Sequence, residues 1–362
     1  MSTTVCFGPG AALGLAQLAA GIDDERRLLV LAGHSATGHP WLAQVRGLLP
    51  AHVFATLPGG YPTRESIGRI TRLMVDLRTG PVIAIGGGSV LDTAKAAAAG
   101  TRRHGVRRCP VTAVPTTPGT GAEMTPFATV WDPAARRKES YQDTDLAPDA
   151  VVLDPELTRT LDANALAGMV FDALAQGMEA AWSTRSTPES IAHGIGAVSL
   201  AAGNLERVLA DPDDMAARGS LCLAGFYSGR AIAIAHTTVC HALSYPLTLN
   251  HGVPHGHACA MTLAAALRHN AETTDDDCQH PLGAAHVRSV IDRVVTALRC
   301  TDVEQAARRL DELMAVAGLA RFGAGGYDAE SIATDAQHYD RADNNPRRLD
   351  RNQLIALLQE RA

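Results

Sequence analysis

Over the first 155 positions, short aliphatic and β-branched runs alternate with longer Ala/Leu-rich stretches, the pattern of a parallel sheet whose strands are joined by crossover helices. The segments 27–32 (RLLVLA), 81–85 (PVIAI) and 111–114 (VTAV) predict strands buried on both faces. After Asp154 and Pro155 the pattern changes, because windows such as 165–183 and 220–235 have helical character and few strand candidates follow. The expected organisation is an α/β domain over 1–155 and an all-α domain over 156–362. A cleft between two such domains is the default place for a ligand.

Composition narrows the class. A chain of 362 residues with 46% hydrophobic and 19% charged positions has apolar surface enough for a large core, which excludes a disordered chain. A net charge of -6 offers nucleic acid or an anionic membrane no general attraction. No apolar run reaches the roughly 18 to 20 residues of a membrane span, and no basic segment leads into an apolar one at the start. The seven cysteines are odd in number and lack CxxC spacing. A reduced, cytoplasmic protein is therefore expected, with no nucleic-acid or membrane partner, and a homodimer is the default assembly.

Two loops carry candidate anion chemistry. The strand over 82–85 runs into Gly86, Gly87, Gly88 and Ser89, and then into VLDTAKAAAAG, which favours a helix. Glycines let the backbone approach a pyrophosphate, and the helix start supplies N–H groups and partial positive charge. A second polar loop, TTPGTGAE from Thr116 to Glu123, follows the strand over 111–114. At the carboxyl edge of a parallel sheet its hydroxyls and amides can meet ribose, amide or phosphate oxygens.

The later half holds a metal-like constellation. Asp172 and Gln176 stand four apart on a predicted helix and so share a face. The segment from His241 to His257 is rich in imidazoles beside glycine and proline. Several histidines with a helical carboxylate upstream favour a metal site, although spacing alone does not select its ligands.

Taken together, GGGSVLDTAK, TTPGTGAE, PDAVVLDPEL, the Asp-x-x-x-Gln helix and the PHG segment resemble the iron-containing alcohol dehydrogenase family, in family order and across nearly the whole chain. The resemblance implies a dehydroquinate synthase-like two-domain fold, with a Rossmann-like nicotinamide-binding α/β domain, a helical metal- and substrate-binding domain and a divalent metal in the cleft. It places Asp172, His241 and His255 on three of the family's four ligand positions, with Gln176 on the fourth. A neutral amide there is a weaker donor than imidazole, and the expected metal is Fe(II) first and Zn(II) second. It further implies Asp92, Thr116, Thr117 and Lys138 as cofactor contacts, joining Gly86, Gly87, Gly88, Ser89 and Thr120 of the loops. Tyr245 stands where the family often carries another histidine near the nicotinamide; it and His251 are the candidate catalytic side chains. The implied chemistry is hydride transfer from NADPH or NADH to a small aldehyde polarised by the metal.

Where NAD-preferring members carry an aspartate at the end of the first strand, this chain has Gly33, so repulsion of an NADP phosphate is reduced. Two segments, 182–190 (WSTRSTPES) and HTTVCHALSYPLTLNHGVPHGHA, resemble the phosphonoacetaldehyde-reducing subgroup. A dianionic substrate needs cationic or hydrogen-bonding partners, for which Arg185, Arg230 and His251 are the candidates. Maleylacetate reductases share the fold without the metal ligands, and a dehydroquinate-synthase-like lyase needs a basic array that this sequence lacks. A silent NAD-binding sensor is the third alternative.

Overall fold

The computed structural model describes residues 3–22, 24–132, 134–135 and 137–360. The chain divides into two units, the first running to Thr117 and including Gly121–Thr160, the second containing Pro118–Thr120 and everything from Leu161 onward.

In the first unit six strands form one sheet in the order β1-β8-β5-β4-β2-β3, every neighbouring pair parallel. They are β1 (Thr4–Phe7), β2 (Arg27–Gly33), β3 (His52–Leu57), β4 (Thr79–Gly86), β5 (Val111–Pro115) and β8 (Ala150–Leu153). A separate antiparallel hairpin, β6 (Phe127–Asp132) with β7 (Arg137–Gln142), was not expected. The helices are α1 (Leu15–Ala20), α2 (His34–Thr37), α3 (Pro40–Leu48), α4 (Arg64–Asp76) and α5 (Gly88–Gly100). The central strands β2, β4 and β5 are buried almost throughout, which explains their uninterrupted apolar sequences. Strand order reverses between β2 and β4: β3 lies outward of one, β5 and β8 outward of the other. The crevice at the carboxyl ends of such a pair is where an open parallel sheet receives ligands.

The second unit is helical. Its helices are α6 (Ala163–Trp182), α7 (Pro188–Ala210), α8 (Met215–Ala235), α9 (Val239–His251), α10 (His255–Ala271), α11 (Ala284–Ala297), α12 (Val303–Val316), α13 (Ala329–Ala336) and α14 (Arg351–Gln359). Asp162 caps α6 by accepting from the Ala165 amide at 2.8 Å. Every residue of α6 from Val170 to Trp182 is buried, so its polar side chains must find partners inside the bundle. Gly256, at the start of α10, permits an unusually close crossing: a Cβ there would lie 1.9 Å from the Gly168 carbonyl oxygen and 2.9 Å from the Asp172 Cβ. That approach brings the first turn of α10 against the middle of α6. Among the described residues no helix is long and apolar enough to cross a membrane.

Candidate active site

Asp172 lies in the middle of α6, His241 in the first turn of α9, and His255 opens α10. With Cys259, one turn along α10, they present four ligand atoms within 4.8 Å of one another, and only His255 is not fully buried. Each imidazole has an outer partner. Glu179 Oε2 meets Nδ1 of His241, and Ser244 Oγ lies 3.2 Å from Nδ1 of His255. The Nε2 atoms therefore face Asp172, at 3.4 Å for His241 and 4.0 Å for His255 from Oδ1.

Glu179 has two tasks. As an acceptor it takes a hydrogen bond from His241 Nδ1–H, which keeps the proton on that nitrogen and leaves the Nε2 lone pair for a metal. Its other oxygen accepts from the Thr238 amide at 3.1 Å, the Thr238 hydroxyl at 2.7 Å and the Cys240 amide at 2.8 Å, which fastens the start of α9 to α6. Burial pushes the Asp172 carboxyl upward, but His241, His255 and Gln176 outweigh it and hold the group below its ordinary range. One carboxylate, two imidazole nitrogens and a thiol converging in an enclosed place form a donor set suited to a borderline divalent ion such as Fe(II) or Zn(II).

Gln176 has a different orientation from a ligand facing that centre. Its nitrogen donates to Asp172 Oδ1 at 2.9 Å and to the Thr120 carbonyl at 3.3 Å, and its oxygen accepts from Ser228 Oγ at 2.8 Å. Because Asp172 and the Thr120 carbonyl can only accept, the amide orientation is determined. Gln176 thus orients Asp172.

In the α/β unit, β4 ends at Gly86, and Gly87 is the N-cap of α5, which no side chain caps. A Cβ on Gly86 would come within 2.6 Å of Val90 Cγ2, so glycine is what lets the strand turn tightly into the helix. Gly88 and Ser89 begin the helix, where main-chain N–H groups lack intrahelical partners. The Thr116 amide donates to the Gly86 carbonyl at 3.1 Å, which brings Thr116 and Thr117 alongside the glycine loop. Gly33 ends β2 on the other side of the strand-order reversal, 3.1 Å from Val90 if given a Cβ. These positions form a cradle of the kind that binds a dinucleotide pyrophosphate.

Known families fit this arrangement. Residues 2–155 match the iron-containing alcohol dehydrogenase family, and residues 165–362 match the C-terminal part of the Fe-containing alcohol dehydrogenase family. The chain belongs to the iron-containing alcohol dehydrogenase family. Among its relatives is a phosphonoacetaldehyde reductase of Streptomyces viridochromogenes, 43% identical over 93% of this chain and 90% of that protein. A sulfoacetaldehyde reductase of Bilophila wadsworthia is 28% identical over 82% of this chain and 81% of that one. The structure of the sulfoacetaldehyde reductase from Bifidobacterium kashiwanohense in complex with NAD+ superposes with a TM-score of 0.86, at 23% identity over 98% of this chain and 96% of that chain, which shows a common fold. This iron-containing alcohol dehydrogenase is accordingly an NAD(P)-dependent oxidoreductase, and its family membership implies a divalent metal as well.

Other expected residues of this alcohol dehydrogenase lie in varied settings. Tyr245 is buried, stacked on His255 with ring centroids 5.8 Å apart. His251 stands exposed at the end of α9, its ring 5.1 Å from Tyr327, outside the ligand cluster. Arg230 forms a surface ion pair with Glu189 at 3.3 Å, whereas Arg185 is exposed and lies near His236. Asp92 pairs with the buried Lys95 at 2.8 Å and accepts from the Thr129 amide at 2.9 Å, so it ties α5 to the hairpin. Lys138, on β7, lies over the Trp131 ring at 5.9 Å. Sequence reasoning missed Glu179, Ser244 and Cys259, although helical spacing marks each one: seven after Asp172, three after His241 and four after His255.

Proposed function

We propose that the protein reduces phosphonoacetaldehyde to 2-hydroxyethylphosphonate at the expense of NADPH or NADH. The observation that carries this reading is the 43% identity to a phosphonoacetaldehyde reductase over nearly the whole of both chains. The convergence of Asp172, His241 and His255 supports retained metal-assisted chemistry and argues against the metal-free maleylacetate alternative. Asp172, His241 and His255 would hold the metal, with Cys259 as the additional nearby donor; Fe(II) is the first choice and Zn(II) the second. When bound, the metal supplies Lewis acidity at the aldehyde oxygen and the reduced nicotinamide supplies the hydride.

The chain's own side chains do the positioning. Glu179 and Ser244 set the two imidazoles, Gln176 sets the carboxylate, and the glycine cradle with Thr116 and Thr117 orients the cofactor. Tyr245, packed against His255, is the group we assign to passing a proton to the product oxygen. The end of β2 carries no carboxylate, and His34 and Ser35 beside it are exposed, which favours acceptance of the NADP phosphate. The test is to load the protein with Fe(II) or Zn(II), add phosphonoacetaldehyde with NADPH or NADH, and follow cofactor absorbance and the phosphorus NMR spectrum together. Appearance of the 2-hydroxyethylphosphonate resonance, one equivalent per cofactor oxidised, is expected; no reduction with any metal and cofactor combination would overturn the proposal.

A further inference from the structure

Three segments of the helical unit meet at His236. The Arg341 Nη1 donates to His236 Nδ1 at 2.8 Å. Asn344 Nδ2 donates to the Thr237 carbonyl at 3.0 Å, and the Thr184 amide donates to the Asn344 carbonyl at 2.9 Å. These bonds bind the turn after α13 to the loop before α9 and to the end of α6, where Arg185 lies. His236 is itself held at φ 59, a backbone conformation that side chains rarely adopt. Burial, then Arg341 and Arg185, lower its pKa to about 4 against the opposing charge of Asp340.

The two guanidiniums of the corner are not held in ion pairs. Among the described residues neither Arg341 nor Arg185 has a carboxylate within ion-pair distance, whereas Arg230, Arg268 and Arg347 are each paired. The corner therefore brings two guanidiniums together beside His236, and their N–H donors suit a tetrahedral oxyanion.

It is also continuous with the metal ligands by two routes. Tyr339, two residues before Arg341, packs edge-on against Tyr245 at 4.7 Å, and Tyr245 stacks on His255. On the other side Thr238, two residues after His236, is bonded to Glu179, which holds His241.

We propose that Arg341, with His236 and Arg185 beside it, seats the phosphonate of the substrate while the aldehyde end lies toward Asp172, His241 and His255. This assignment rests on the reading of the protein as a phosphonoacetaldehyde reductase and locates its specificity, for which Arg341 had no sequence signal.

The test measures binding of methylphosphonate to the metal-loaded protein by calorimetry, and kcat/KM for phosphonoacetaldehyde and propanal, in wild type, Arg341→Ala, Arg341→Lys and Arg185→Ala. Retained metal content and melting temperature certify that each variant has folded. Loss of a charge-assisted fork should weaken methylphosphonate binding by about thirtyfold or more in Arg341→Ala, with partial recovery in Arg341→Lys. The preference for phosphonoacetaldehyde should fall by a similar factor, chiefly through KM, and Arg185→Ala should show a smaller loss in the same direction. Unchanged methylphosphonate affinity and unchanged preference in folded Arg341 variants would overturn the assignment while leaving the proposed reaction standing. Conversely, Arg341-dependent binding of methylphosphonate in an enzyme that does not reduce phosphonoacetaldehyde would uphold the anion seat and remove the proposed substrate. Inorganic phosphate run alongside separates the two sources of a dianion: methylphosphonate bound at least as tightly supports a substrate seat, and phosphate bound far more tightly overturns it.

Discussion

Replacing Glu179 with glutamine exchanges one oxygen for an NH2 group, yet the site has no orientation that accommodates it. If the amide nitrogen faces His241, it can only donate to Nδ1, so the imidazole must carry its proton on Nε2 and cannot ligate a metal there. If the oxygen faces His241 instead, the NH2 group confronts the Thr238 and Cys240 amides, which are donors themselves. In the first orientation the cost falls on the metal: loss of an outer-sphere partner typically weakens affinity about 10- to 100-fold, which is about 1.4 to 2.7 kcal/mol. In the second it falls on folding, because buried amides deprived of an acceptor cost about 1 to 3 kcal/mol each. The assay is chelator competition for Zn(II) or Fe(II), paired with thermal unfolding of the metal-free and metal-loaded proteins. Glu179→Gln should lose at least about tenfold in metal affinity or about 1 kcal/mol of metal-free stability. A variant that matches wild type in both would refute the claim that Glu179 selects the His241 tautomer and anchors α9.

His241→Ala and His255→Ala should each remove the metal and most turnover while leaving NAD(P)H binding largely intact, since the phosphate cradle belongs to the other unit; metal analysis beside cofactor titration checks this, and full activity in a metal-free His255→Ala protein would sink the mechanism. Gly33→Asp should lower the NADPH-to-NADH ratio of kcat/KM, because a carboxylate repels the extra phosphate; its Cβ would stand 3.1 Å from Val90, so a small adjustment of that side chain accompanies it. An unchanged ratio would place cofactor discrimination elsewhere. Burial raises the Glu123 pKa to about 7, with Lys95 opposing. The folded state then holds a proton that the unfolded state has released, so stability falls as pH rises from about 4.5 to about 7, by up to about 3 kcal/mol in all. Glu123→Gln should abolish that slope and gain most above about pH 7, as urea unfolding at several pH values would show.

How much of this was legible in the sequence depended on burial. The strands β2, β4 and β5 stand in the middle of the sheet, and their apolar runs reveal them. The edge strand β1 is short and largely exposed, and β3 is mostly half-buried without clean alternation, so neither has a periodic signature. The polar hairpin β6–β7 was equally hidden, its second strand having little buried surface. At the site, Asp172, His241 and His255 could be read from residue type and spacing. The setting of Gln176 could not, because Ser228, which holds its oxygen, is 52 positions away. Arg341 meets His236 across 105 positions, a separation that only the tertiary fold closes. The same is true of Arg230, whose surface partner Glu189 lies on a different helix.

The central claim is that this dehydrogenase recognises an anionic aldehyde. Its most direct test is the ratio of kcat/KM for phosphonoacetaldehyde to that for propanal, measured on the metal-loaded enzyme. A pocket that pairs the phosphonate leaves charged donors unmatched when propanal is bound, and if about 3 kcal/mol of that difference is expressed in the transition state the ratio exceeds about a hundred. A ratio above that value is the predicted result; a ratio of one or less would contradict the account.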